Sequence, residues 1–80
     1  GAHAGYRIYP CKNGRVAVAA LEAHFAQRLC EAVGVSIAHP VRDMFKPAVH
    51  QAVAAFLATR TRRQLEALSQ ARDIPLHTLP

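Results

Sequence analysis

The sequence predicts a fold of the α/β class, of the α+β type: a β-hairpin, three helices and an extended C-terminal segment. Three observations carry this. Asn13-Gly14 sits between two stretches rich in aromatic and β-branched residues. From Leu21 onward the apolar residues change from a continuous run to helical spacing. Pro75 and Pro80 then punctuate the end of the chain.

The hairpin is expected over about residues 5–20, with flanks Tyr6 to Tyr9 and Arg15 to Ala19. Asn13 and Gly14 both tolerate positive φ, so they are the expected turn residues. Pro10 cannot donate to a ladder, so the first strand should be an edge or break there. The first helix is expected over 21–33, where Leu21, Phe25, Leu29, Ala32 and Val33 share one face and Gly34 supplies a left-handed stop. The second is expected over 45–59. Phe45, Ala48, Val49, Ala52, Val53, Phe56 and Leu57 form the cleanest amphipathic pattern, with Pro47 harmless near the start. A third helix over 62–71 opens with Thr61-Arg62-Arg63-Gln64, a capping-box pattern, and should bury Leu65 and Leu68. Residues 73–80 read as an extended tail.

Eighty residues make one domain at most. Such a chain buries only about 60–65% of its unfolded surface, so its stability depends on close packing. A two-stranded sheet needs covering, which suggests a single small-domain fragment spanning 1–80. Half the residues are apolar, which argues against disorder. No apolar run approaches the roughly 20 residues that span a bilayer. The start carries no basic-then-apolar leader pattern. The simplest expectation is a cytoplasmic chain. Its two cysteines, Cys11 and Cys30, read as buried free thiols, and its scattered histidines do not form a metal-ligand spacing.

Glu22 is the candidate chemical group. At 100° per residue it falls between Phe25 and Val33, within the apolar stripe. A carboxylate there must be paired, neutralised or face a cleft. The plainer alternative is a first-turn acid favoured by the helix dipole, worth about 0.3–1 kcal/mol. Ten Lys and Arg against five carboxylates make the chain basic. The cluster Arg60, Arg62, Arg63 and Arg72 could meet phosphates or simply form a solvated face. Neither serine lies in a nucleophile elbow, no Gly-rich phosphate loop is present, and Asp43 and Asp73 read as cap or turn residues. A complete active site is not visible.

The segments "YRIYPCKNGRVAVAALEAHF", "FLATRTRRQLEAL" and "DIPLHTL" occur in an order that resembles the family III CoA-transferases, the CaiB/BaiF group. Within that group the sequence resembles the α-methylacyl-CoA racemase branch. Ala20-Leu21-Glu22 with Phe25 carries most of the likeness, and the run from Phe56 to Arg62 adds to it. Asn13, Ala19 and Ala23 stand where that family often has Asp, Gly and Pro. The resemblance implies a C-terminal small-domain fragment of an interlocked homodimeric enzyme. Its partners would be the rest of the parent chain, a second identical subunit and acyl-CoA. Coenzyme A thioesters would be substrates, with no tightly bound cofactor and no membrane or nucleic-acid partner. It further implies that the principal aspartate and histidine lie in a large Rossmann-like domain without a counterpart here. Glu22 would then assist acid/base chemistry at the thioester. Composition and periodicity alone leave two other readings open: a basic helical nucleic-acid-binding or protein-interaction module, and a structural domain without a site.

Overall fold

In the computed structural model, residues 2–80 are described. The chain runs β1 (Tyr6–Cys11), β2 (Gly14–Ala19), α1 (Ala23–Val33), a short 3-10 turn (Arg42–Phe45), α2 (Pro47–Ala58), α3 (Arg62–Arg72) and β3 (Leu76–Leu79). The fold is α+β, with helices backing one face of a small antiparallel sheet.

The sheet has three strands in the order β1-β2-β3. The tail expected to be merely extended is therefore a paired strand. Val18 faces Leu76 and Arg15 faces Leu79 across the β2–β3 ladder. Ile74 anchors the strand's approach and is 1% exposed. Alternation along the strands sends Tyr9, Val16, Val18 and Leu76 into the core. The opposite face carries Tyr6 and Ile8, which are 58% and 53% exposed.

The hairpin turn differs from the expected one. Cys11 pairs with Gly14, so Lys12 and Asn13 make the turn. Among the described residues only Gly34 and Asp73 have positive φ, so the Asn-Gly pair is not used for its left-handed freedom. Asn13 instead accepts a hydrogen bond at Oδ1 from the Arg62 backbone N–H at 2.9 Å, satisfying an orphan amide of α3. Gly14 is needed for close approach: a Cβ there would lie 2.5 Å from the Leu79 carbonyl oxygen. Pro10 lies on the outer strand, next to the closing pair. That register turns its nitrogen toward the open edge, where a missing donor costs nothing.

α1 begins at Ala23 rather than Leu21. The Ala19 N–H donates to Pro75 O at 3.0 Å and the Ala20 N–H to Gly5 O at 2.6 Å, which hold the chain extended that far. The buried face is Ala26, Leu29 and Cys30, while Leu21 is 48% exposed outside the helix. Gly34 closes α1 at φ 89° and donates to Cys30 O. α2 starts with Pro47 in its first turn and buries Val49, Val53 and Leu57. Phe45 belongs to the preceding 3-10 turn and is 46% exposed, so it is not the core residue its spacing suggested. The capping box of α3 is formed: Thr61 Oγ1 accepts from Gln64 N at 3.1 Å and Gln64 Oε1 from Thr61 N at 2.8 Å. Leu65 is fully buried and Leu68 packs at the core margin. Both cysteines are free and buried.

Candidate functional site

Glu22 stands at the exit of β2, as the N-cap of α1. Its backbone is extended, at φ −68° and ψ 145°. Its carbonyl accepts the first helical hydrogen bond, from Ala26 N at 2.9 Å. Stepping 100° per residue fails here because Glu22 lies outside the helix. Its side chain is exposed rather than set in the apolar stripe, and it precedes the first turn instead of lying within it. Both sequence-based placements of the residue are thereby corrected. The carboxylate makes no capping hydrogen bond. It belongs to neither ion pair of the described residues, Arg28–Asp73 and Lys46–Asp43.

Leu21, Glu22, Ala23 and His24 are all exposed. His24 packs against the half-buried Phe25 with ring centroids 4.1 Å apart. The Arg28 guanidinium lies over the Phe25 ring at 5.6 Å and pairs with Asp73 Oδ2 at 3.0 Å. The nearest cation on α1 is therefore occupied elsewhere. Glu22 lines none of the described surface depressions. One of about 350 Å³ lies at the C-terminal end of α1, beside Cys30 and Ser36. Another, of about 480 Å³, lies between Arg7, Phe45 and His50. An exposed carboxylate can accept a proton or position a polar group. Lining none of these depressions, Glu22 cannot by itself exclude water.

The basic residues do not form one patch. Arg60 stacks over Phe56 at 4.3 Å and donates to Thr59 Oγ1 at 3.0 Å. Arg62 lies across Gly14, and its Nε is sealed from solvent. Arg63 is exposed near the start of α3 and Arg72 is at its far end, about two and a half turns away. α3 packs on β3 and β2 and is not a free-standing recognition helix. Among the described residues no group of three or more His, Cys, Asp or Glu is placed to hold a metal ion. Nor, among the described residues, is any helix long and apolar enough to cross a membrane.

Asp43 is the turn residue its sequence position suggests, and a second polar cluster has no local sequence signal. Asp43 is buried, and its Oδ2 accepts from Ala38 N at 2.9 Å and His39 N at 3.1 Å. The His39 hydrogen bond, then those of Ala38 and Lys46, hold its carboxyl below the ordinary 3.8 against the opposing effect of burial. An acid three residues before a lysine (Asp43, Lys46) is the local signal for its ion pair. The second cluster joins His3, His50, Arg7 and Tyr9. Arg7 and His50 are 43 residues apart in sequence, so no local pattern announces the contact.

A three-stranded sheet backed by helices, with an exposed carboxylate outside any ion pair at the strand exit, defines a small α+β domain. The chain belongs to CoA-transferase family III, whose sequence model matches residues 1–79. No curated protein matches the chain.

Proposed function

We propose that this chain is a small-domain portion of an enzyme acting on acyl-CoA thioesters, one resembling the CaiB/BaiF racemase branch, in which Glu22 assists chemistry at the carbon next to the thioester carbonyl. The site is completed by the remainder of the parent chain and by a second identical subunit. The 80-residue chain alone is inactive. The parent enzyme works in the cytoplasm and holds no tightly bound cofactor.

One observation carries the reading: a family III chain leaves the Glu22 carboxylate exposed and unpaired at a strand exit, beside exposed Leu21. Removal of an α-proton from a thioester needs a positioned base and donors for the developing enolate oxygen. Return of the proton on the opposite face needs a second group. A carboxylate with no partner of its own can enter such a site without breaking an existing ion pair. The exposed outer-face residues Tyr6 and Ile8 also fit a sheet that another part of the enzyme covers.

The test is Glu22→Gln in the full-length parent enzyme. An acid/base role predicts a loss of turnover of about 10²–10⁴-fold, with unchanged thermal stability. Unchanged turnover refutes the role of Glu22. Solvent deuterium entering the α-position of acyl-CoA without acyl exchange favours racemisation. Exchange of labelled coenzyme A between acyl groups favours transfer.

A further inference from the structure

We propose that His3, with His50 beside it, forms a pH-sensitive clasp that fastens residues 2–5 to β1 and α2 while the His3 ring is neutral, and releases them when that ring is protonated.

The geometry fixes the tautomers. Arg7 Nη1 can only donate, and it lies 3.2 Å from His50 Nδ1. His50 Nδ1 is therefore an acceptor, its proton is on Nε2, and Nε2 donates to the Ala2 carbonyl. His3 Nδ1 accepts from the Gly5 N–H at 2.9 Å, so its proton is also on Nε2. That Nε2 is buried with no hydrogen-bond partner. His3 as a whole is 7% exposed, and its ring meets Phe45 edge-to-face at 5.3 Å. A second proton on either ring converts an acceptor into a donor facing a donor: Gly5 N–H for His3, the Arg7 guanidinium for His50.

The charged groups around the clasp do not help the protonated form. β1 contributes Arg7, a cation, and α2 contributes His50 itself. The turn bearing Phe45 contributes Asp43, whose carboxylate is taken up by Ala38, His39 and Lys46. Among the described residues no carboxylate is paired with either ring. Burial, and then the charge of His50, accordingly hold His3 below histidine's ordinary 6.5. A group lowered in the folded state stabilises it fully above 6.5 and loses that contribution as pH falls through the lower folded value. The clasp opens on the acid side.

Opening reaches beyond the segment itself. The Ala4 N–H donates to Met44 O at 2.7 Å, and the Tyr9 hydroxyl donates to Ala4 O at 2.5 Å. Gly5 O accepts from the Ala20 N–H at 2.6 Å, two residues before Glu22. Release of residues 2–5 therefore removes one of the two backbone bonds that hold the strand exit presenting Glu22, leaving that of Ala19 to Pro75.

NMR on the full chain tests this, with histidine ring titration and amide exchange followed from about pH 8 to about pH 5. The ring of His3 should titrate below 6.5. Protection of the Ala4, Tyr6 and Ala20 amides should fall about tenfold per pH unit below that midpoint, while the amides of Val53 and Leu65 keep theirs. His3→Phe, combined with His50→Gln, should abolish the pH dependence. A His3 midpoint at or above 6.5 overturns the proposal. So does protection that ignores pH, loss at Leu65 in step with Ala4, or a pH dependence that survives in the double variant. If the variant does not fold, the wild-type titration alone decides. None of these readouts depends on the role of Glu22 in catalysis.

Discussion

Replacing Gly14 by alanine separates two explanations of the same glycine. If Gly14 served a left-handed turn, the cost would be backbone strain. Its φ is not positive, and the structure gives a different cause. A Cβ would lie 2.5 Å from the Leu79 carbonyl oxygen and 2.9 Å from Arg62 Cδ. The second contact can be relieved by moving a side chain. The first is to backbone, so β3 must shift away from β2 at the Arg15–Leu79 pair. Forcing extra atoms into a packed site costs about 1–3 kcal/mol. Alanine restricts the unfolded chain and returns about 0.4–1 kcal/mol. The expected net loss is about 1–2 kcal/mol, or a fall in Tm of about 5–15 °C for a domain of this size. Thermal unfolding of Gly14→Ala, with and without residues 79–80, measures it. The loss should shrink when Leu79 is absent, because the obstructing oxygen is gone. A Tm that does not fall, or a loss that is identical in both backgrounds, refutes the steric account.

Other expectations follow from single contacts. Gly34→Ala meets no atom within 4 Å but sits at φ 89°, so it should cost about 1–2 kcal/mol through strain alone and leave β3 exchange unchanged. Thr61→Ala removes the reciprocal cap and should destabilise by about 1 kcal/mol in chemical denaturation. The Arg28–Asp73 pair spans 3.0 Å but is 40% and 82% exposed, so a double-mutant cycle should return below about 1 kcal/mol and fade with salt. Asp43 should titrate below 3.8 by NMR. Its contribution to stability should be complete above that value and disappear as pH falls through the lower folded one, and Asp43→Asn should remove this acid sensitivity. Cys30 is 1% exposed and burial pushes its thiol up, so alkylation in the native state should follow opening of the fold.

Where structure follows from nearest neighbours, the sequence was legible. The Thr61–Gln64 capping box and the Val49-Val53-Leu57 stripe need only i, i+3 and i+4 relations, and both form. Apart from Phe45, which falls in the 3-10 turn just before Pro47, the differences involve distant partners. Leu76 to Leu79 lies beside Pro75 and shows little alternation, yet it becomes a strand because β2 offers an edge. Asn13-Gly14 resembled a left-handed turn, but Arg62 and Leu79 determine what those two residues do. Leu21 and Glu22 fit a helix by composition. Backbone bonds from Ala19 to Pro75 and from Ala20 to Gly5 keep the chain extended until the helix can begin.

The displacement of Glu22 by one structural step changes its chemistry. In the first turn of a helix, on the apolar stripe, a carboxylate would need a buried partner inside the domain. At the N-cap, exposed and without a capping bond, it is free to meet a partner brought from outside. The family assignment rests on the whole match over residues 1–79 and not on this residue. The proposal for Glu22 therefore stands or falls by the turnover of Glu22→Gln in the complete enzyme. The same geometry makes a second demand. If the strand exit matters for presenting the carboxylate, loosening Ala20 through the His3–His50 clasp should lower turnover at acid pH. The double clasp variant should lack that acid limb. An acid limb retained in the variant would show that Glu22 is presented independently of residues 2–5.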